Sequence, residues 1–286
     1  MANGTNRFRP TKPEERRVAR LQRNANQNGS FIRKPFLAFK REIYSFLVFT
    51  GIFGCAALLF FTLTRSGLVS RTSDSGLMLA FMLGLILAGG ISSTLAFLSR
   101  LGHRLLLVAL GSALAAAAGI ATGLAPLELA AKLLFATSAG LWVGMMLTSI
   151  GQIIIISGLI ILVDFYSVFL GPTKKLLESG GKAIDYFTIN LPVFGAPAVS
   201  KIGVSDLLFY AVFIGCTLTY RLRRITTAVA MTASFIGTMI IGLTLKRGVP
   251  ALPLLSVSFL LSNADLLYRR FLEEPDEQRK RGEERN

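Results

Sequence analysis

The sequence holds one histidine, one tryptophan and two cysteines in 286 residues, and only 16% of it is charged. His103 sits in a short basic stretch, 100–104, with no second histidine to share a metal ion, so no metal centre is expected. A Ser-His hydrolytic arrangement is not evident either, and no nucleotide or other cofactor is implied. Cys55 and Cys216 fall inside apolar runs, where a free thiol behaves as a small hydrophobe and forms no disulfide framework. What the chain has instead is apolar residue, 52% of the total. That is too much for an ordinary soluble domain of this length.

The apolar residues fall in runs long enough to cross a hydrocarbon core of ~30 Å, which takes ~20 helical residues. These runs are 44–64, 76–98, 104–124, 129–149, 153–170, 202–220, 225–245 and 251–268. Lipid supplies no hydrogen-bond partners to an open backbone, so the fold class is an all-α polytopic membrane protein, a helical bundle. Continuous stretches such as 153–163 exclude the alternating strands of a β-barrel. The stretch 129–170 exceeds one span and is divided near 149–152, where Gly151 and Gln152 are expected to turn.

Residues 1–43 are strongly basic and are expected to form a disordered cytoplasmic tail drawn to anionic head groups of the lipid bilayer. The tail is too long and polar for a cleavable signal peptide, and no nucleic-acid partner is expected. Residues 44–149 form an N-terminal set of transmembrane helices, 150–268 a second region containing the long loop 171–200, and 269–286 a charged tail. With eight helices, the positive-inside rule places both termini, Arg100, Arg104, Arg221, Arg223 and Arg224 inside, and the loop outside. Nine helices would move one tail to the other side.

Most carboxylates lie in tails, loops or at the ends of runs; Asp164 and Asp206 do not. A charged side chain at mid-bilayer costs ~2.5–3.5 kcal/mol on insertion scales, and is rare without a role. Asp164 lies seven residues before Gly171, and Asp206 five residues after Lys201. At ~1.5 Å per helical residue, both stand roughly 8–11 Å below the same face. Helices joined by one loop run antiparallel and are often neighbours, so the two carboxyls are expected to meet. Brought together away from bulk water, one holds a proton while the other is bare. An ionised carboxylate then activates water as general base while the protonated one polarises a carbonyl. The same pair also suits a polar contact between helices, or a proton relay in a proton- or cation-coupled transporter.

Three local motifs bear on this choice. Val163-Asp164-Phe165-Tyr166-Ser167-Val168 resembles the first aspartate motif of the presenilin and signal peptide peptidase family of intramembrane aspartyl proteases. Gly203-Val204-Ser205-Asp206 is similar to that family's Gly-x-Gly-Asp, and Pro250-Ala251-Leu252-Pro253 is identical to its Pro-Ala-Leu-Pro signature. Their order and spacing agree over about 150–268. The resemblance implies a prokaryotic presenilin-like protein of the plasma membrane, a bundle of eight or nine transmembrane helices. It also implies an aspartic endopeptidase that hydrolyses transmembrane peptide or membrane-protein substrates with Asp164 and Asp206 as catalytic residues. Gly203, Val204, Ser205, Pro250, Ala251, Leu252 and Pro253 are then implied to seat substrate. The sequence departs from the family at Val163, where the family has Tyr, and at Ser205, where it has Gly. Ser adds a Cβ and a hydroxyl where Gly permits close approach, the one feature that points to an inactive relative.

The loop 171–200 is too long for a minimal connection. Residues 173–178 are expected to form a short interfacial helix, and Ser179-Gly180-Gly181 a flexible break. Tyr186-Phe187-Thr188-Ile189 and 191–194 have strand-like composition, suited to pairing with an unwound substrate backbone. The same composition suits a plain loop resting on the membrane interface.

Overall fold

The computed structural model of the chain describes residues 44, 47, 48, 51, 74–169, 171, 183–192, 199–245 and 249–272. The chain divides into two units, Met1–Ser45 and Phe46–Asn286, and the numbered helices and strands all belong to the second. The basic tail, Cys55, most of the run 44–64, the expected helix at 173–178 and residues 273–286 lie outside the described residues.

The described residues are predominantly helical, and four segments are long and apolar enough to cross a membrane: Phe81–Thr122, Ala125–Met146, Ile150–Val168 and Arg224–Leu245. Val204–Thr219 and Leu252–Ser262 are shorter apolar helices. Large apolar side chains such as Leu107, Leu114, Ile155 and Leu162 are exposed. That surface suits lipid and not water. The protein is a helical membrane protein.

Helix α1 (Asp74–Thr94) continues into a 3-10 segment (Leu95–Arg104) and then into α2 (Leu105–Thr122). An unbroken helix over the 42 residues of Phe81–Thr122 would be ~63 Å long, about twice the hydrocarbon core. Gly102 breaks it, at φ 54° and ψ −125°, a backbone region that only glycine enters cheaply. The break falls among Arg100, His103 and Arg104, all exposed. A second glycine ends α2. Gly123 is left-handed at φ 69°, and the Leu124 amide donates to the Gly119 carbonyl at 3.0 Å. That is the Schellman closure, and Pro126 then opens α3 (Ala125–Met146), where its missing N–H costs nothing.

The expected turn at Gly151 and Gln152 lies a few residues earlier. The break is at 147–149, and both residues belong to α4 (Ile150–Phe169). The reason is a cap. The Gln152 amide donates to Ser149 Oγ at 3.3 Å, while Gln152 Oε1 accepts from the Thr148 amide at 2.9 Å. Ser-x-x-Gln thus starts a helix where Gly-Gln alone suggested a turn.

After α4 the described chain resumes at a short helix, α5 (Ala183–Phe187), followed by β1 (Thr188–Pro192) and β2 (Val199–Gly203). The strands pair antiparallel, with Thr188 opposite Gly203 and Ile189 opposite Ile202. Strand-like composition at Tyr186 and Phe187 is overridden, since both close α5; the strand begins at Thr188. Among the described residues, which are otherwise mostly helical, this hairpin forms a two-stranded sheet.

Strand β2 runs without a break into α6 (Val204–Thr219), followed by α7 (Arg224–Leu245) and α8 (Leu252–Ser262). Asn263 breaks the chain after α8, and 264–272 is helical again. Helix α6 is central: Leu207, Tyr210 and all of 211–217 are buried. Its closest partner is α3. A Cβ placed at Gly140 would run into the Leu208 carbonyl and lie 2.7 Å from Ala211 Cβ; one at Gly144 would run into the Val212 carbonyl. Facing them, a Cβ at Gly215 would lie 3.2 Å from Gly144 Cα. Small residues four apart on both helices let the backbones touch, the packing that replaces the hydrophobic effect inside lipid. On its other sides α6 stacks Phe213 on Phe259 of α8 (4.4 Å) and Tyr210 on Phe235 of α7 (5.9 Å).

Candidate functional site

Asp206 occupies the first turn of α6. The expected depth counts helical residues from Lys201, but Lys201 belongs to β2 and the helix starts only at Val204. Gly203 is the N-cap, and Asp206 reaches back to accept the Gly203 amide. This is the acidic half of a capping box, with the carboxylate on one of the four open N–H groups of the first turn. The reach back explains the glycine. Gly203 has φ −63° and ψ 135°, which any residue can adopt, so its backbone does not demand glycine. Space does: a Cβ there would lie 2.8 Å from Asp206 Oδ2 and 3.1 Å from its Cγ. Val204 is half-buried as the first helical residue, and Ser205 is exposed.

Asp164 lies five residues before the end of α4. Its Oδ2 accepts the Leu252 amide at 3.0 Å, joining positions 88 residues apart. Leu252 is the first residue of α8, and Pro253 the second. The first helical amides have no partner within the helix. Pro253 has no N–H to satisfy, and Leu252 sends its own to Asp164. The first backbone bond of the helix follows, from the Leu255 amide to the Ala251 carbonyl at 3.2 Å. Pro250, Leu252 and Pro253 are buried and Ala251 is half-buried, so the motif is packed rather than presented on the surface.

The two aspartates are related by a route the connectivity did not suggest. Helix α4 makes its main packing contact with α8, not α6, and α8 in turn packs on α6 and α7. The proline-motif helix therefore stands between the two aspartate helices and holds one carboxylate by its first amide. Asp164 lies close enough for its charge to be felt at Asp206. Such a pair can hold a single proton between two groups, one serving as base and the other as acid. Among the described residues, no three His, Cys, Asp or Glu side chains gather where they could hold a metal ion.

A further residue bears on the site. Lys132, in the N-terminal half of apolar helix α3, is buried and donates to Glu128 Oε1 (2.6 Å), the Asp185 carbonyl (2.5 Å) and the Thr188 carbonyl (2.8 Å). In the sequence it reads as no more than the last charge before a long apolar stretch. A signal is there all the same, since a lysine four residues after a glutamate inside a membrane helix implies a buried partner.

Comparison of the chain with protein-family models, with curated proteins and with solved structures finds no match. The reading of the site therefore rests on its residues and their geometry.

Proposed function

We propose that this protein is an intramembrane aspartyl protease with a presenilin-like bundle of eight or nine helices. It would hydrolyse peptide bonds in or near transmembrane segments with Asp164 and Asp206. The observation that carries the reading is the hydrogen bond from the Leu252 amide to Asp164. A backbone donor from Pro-Ala-Leu-Pro on one carboxylate, with the second carboxylate in Coulomb range, joins all three resembling motifs in one place. A contact between helices needs only the two carboxyls and gives no reason for the proline motif to be there.

In the proposed reaction the ionised carboxylate takes a proton from water as the water oxygen bonds to the scissile carbonyl carbon. The protonated carboxyl gives its proton to the carbonyl oxygen, producing a neutral gem-diol. Collapse of the diol breaks the C–N bond, a proton passes to the leaving nitrogen, and the carboxyl and amine products separate. The pair acts as a unit, and neither role belongs to one residue alone. A substrate helix must unwind first, because its carbonyls are already bonded. The β1–β2 hairpin, continuous with the Asp206 helix, suits pairing with the unwound strand.

The deciding experiment is cleavage of a membrane-spanning peptide by the protein reconstituted in liposomes. Cleavage is expected, with loss in both Asp164→Ala and Asp206→Ala and inhibition by a transition-state analogue of aspartyl proteases. Activity surviving in both variants overturns the catalytic assignment. Proton-gradient-driven flux without cleavage would favour a transporter.

A further inference from the structure

A lysine buried in a membrane helix is tolerated when its charge and all three of its protons are matched. Lys132 is 3% exposed and meets that condition. Glu128, one turn earlier on α3, supplies the opposite charge, and two main-chain carbonyls more than fifty residues away in sequence take the remaining protons. Those carbonyls belong to Asp185 in α5 and to Thr188 at the start of β1. Lys132 thus fastens the hairpin to α3.

The strand register carries this grip to the site. Thr188, whose carbonyl Lys132 holds, is the cross-strand partner of Gly203. Gly203 in turn donates its amide to the Asp206 carboxylate and is the residue with no room for a Cβ beside it. The next pair along, Ile189 and Ile202, is buried, so the hairpin has an apolar seat that leaves its height and direction to a polar contact. A second tie joins Asp185 to Lys201 at 2.6 Å, but about half of each side chain is exposed, and such pairs hold little.

We infer that Lys132 is a positioning residue. It sets the hairpin on α3 and, through Thr188 and Gly203, fixes the Asp206 carboxylate against Asp164. The inference rests on the protease reading for its consequence in turnover, but not for its structural content, and the test separates the two.

The variants are Lys132→Met, which removes the ammonium at nearly constant volume, Lys132→Arg, which keeps the charge, and the neutral double variant Glu128→Gln/Lys132→Met. Each is reconstituted as the full chain. Amide exchange is followed for 188–206 and for the buried part of α6, 210–217. Expected for Lys132→Met is at least tenfold faster exchange at 188–192 and 199–206, with 210–217 unchanged. With the transmembrane peptide, kcat is expected to fall about 10- to 100-fold while KM moves less than about threefold. Lys132→Arg is expected to recover most of both. The double variant is expected to resemble Lys132→Met, because relieving an orphaned Glu128 does not restore the grip on Thr188. It also carries the test if the single variant does not fold.

Unchanged exchange at 199–206 in a folded Met or double variant overturns the inference, as does full recovery in the double variant. If even the parent chain cleaves nothing, the protease reading fails, and the exchange arm still decides whether Lys132 holds the hairpin. If exchange responds as expected but kcat does not, the anchor is structural only and the positioning role is overturned.

Discussion

The two aspartates sit on helices built in opposite ways. Helix α6 is enclosed: nearly every residue from 207 to 217 is buried, and glycines on α3 bring the two backbones into contact. Helix α4 is peripheral, with Ile155, Leu159, Leu162, Val163 and Tyr166 exposed along one side and α8 as its main neighbour. Asp206 is therefore placed by packing and by its own helix cap. Asp164 is placed by one backbone hydrogen bond from the start of α8. One half of the candidate dyad is enclosed on all sides, and the other is packed along one face, through Ile153, Ser157 and Ile160, and tied at Asp164. Under the proposed protease reading, a site that admits a transmembrane substrate would gain from that asymmetry, since the less enclosed helix could give way without disturbing the core.

The largest effect expected on this contrast comes from the aspartates themselves. Asp164→Asn keeps an oxygen for the Leu252 amide and loses the acid; Asp164→Ala loses both. Both are expected to lower peptide cleavage by roughly 10²–10⁴-fold, the worth of a positioned acid or base. Only Asp164→Ala should also loosen the protein, by about 1.5–3 kcal/mol, the value of a hydrogen bond to a charged group. Thermal unfolding in detergent separates them. If both variants melt like the parent, Leu252 does not hold α4 in place, and the contrast fails on that side.

The packing side breaks at glycine. Gly144→Leu puts a side chain where the Val212 carbonyl already lies, and α3 and α6 must part. Overpacking of this kind costs about 3 kcal/mol, a fall in Tm of roughly 6–12 °C for a chain of this size. Gly158→Ala on α4 is the control. A Cβ there meets nothing within 4 Å, so Tm should stay within about 2 °C of the parent. Equal sensitivity of the two glycines would mean that α4 is as tightly packed as α6.

Between these lies Gly203→Ala. The backbone tolerates alanine, but its Cβ would stand 2.8 Å from Asp206 Oδ2, and the carboxylate is the part free to move. Folding should change by less than about 1 kcal/mol. Cleavage should fall by roughly 10–100-fold, since a misplacement near 1 Å costs about that much. A large fall in Tm with normal turnover would reverse the assignment and make Gly203 a packing residue.

Composition and run length made the membrane-helix class legible, because a hydrocarbon core imposes a length that single runs must meet. The candidate site residues were legible because buried carboxylates in membrane helices are rare and the prolines stood out. Less legible were features that depend on what a residue meets. Ser149 and Gln152 form a cap, a reading that needs the side chains and not only the glycine between them. Gly140, Gly144 and Gly215 read as ordinary apolar helix until their partners are known. Lys132 reads as a boundary, because its two carbonyl acceptors lie beyond an intervening helix and loop. A purely helical count from Lys201 to Asp206 also misses that β2 continues directly into α6: strand residues rise ~3.3 Å each and helical residues ~1.5 Å, so the count understates the distance between these two residues.

The smallest expected effect falls on Ser205, one of the two departures from the resembling family. Ser205 is exposed at the second position of α6, whereas the glycine that the carboxylate requires is Gly203. Steric demand in this motif therefore concentrates at the position the sequence retains. Ser205→Gly should cost no more than about 0.5–1 kcal/mol through added freedom of the unfolded chain, and change kcat/KM by less than about threefold. Serine here would then be a neutral variation, with Asp206 still held by Gly203 and by the packing of α6. A gain of tenfold or more on Ser205→Gly would mean that the serine obstructs the approach of substrate backbone. The enclosed half of the site would then be the half that limits turnover, and the peripheral Asp164 helix would not be where access is controlled.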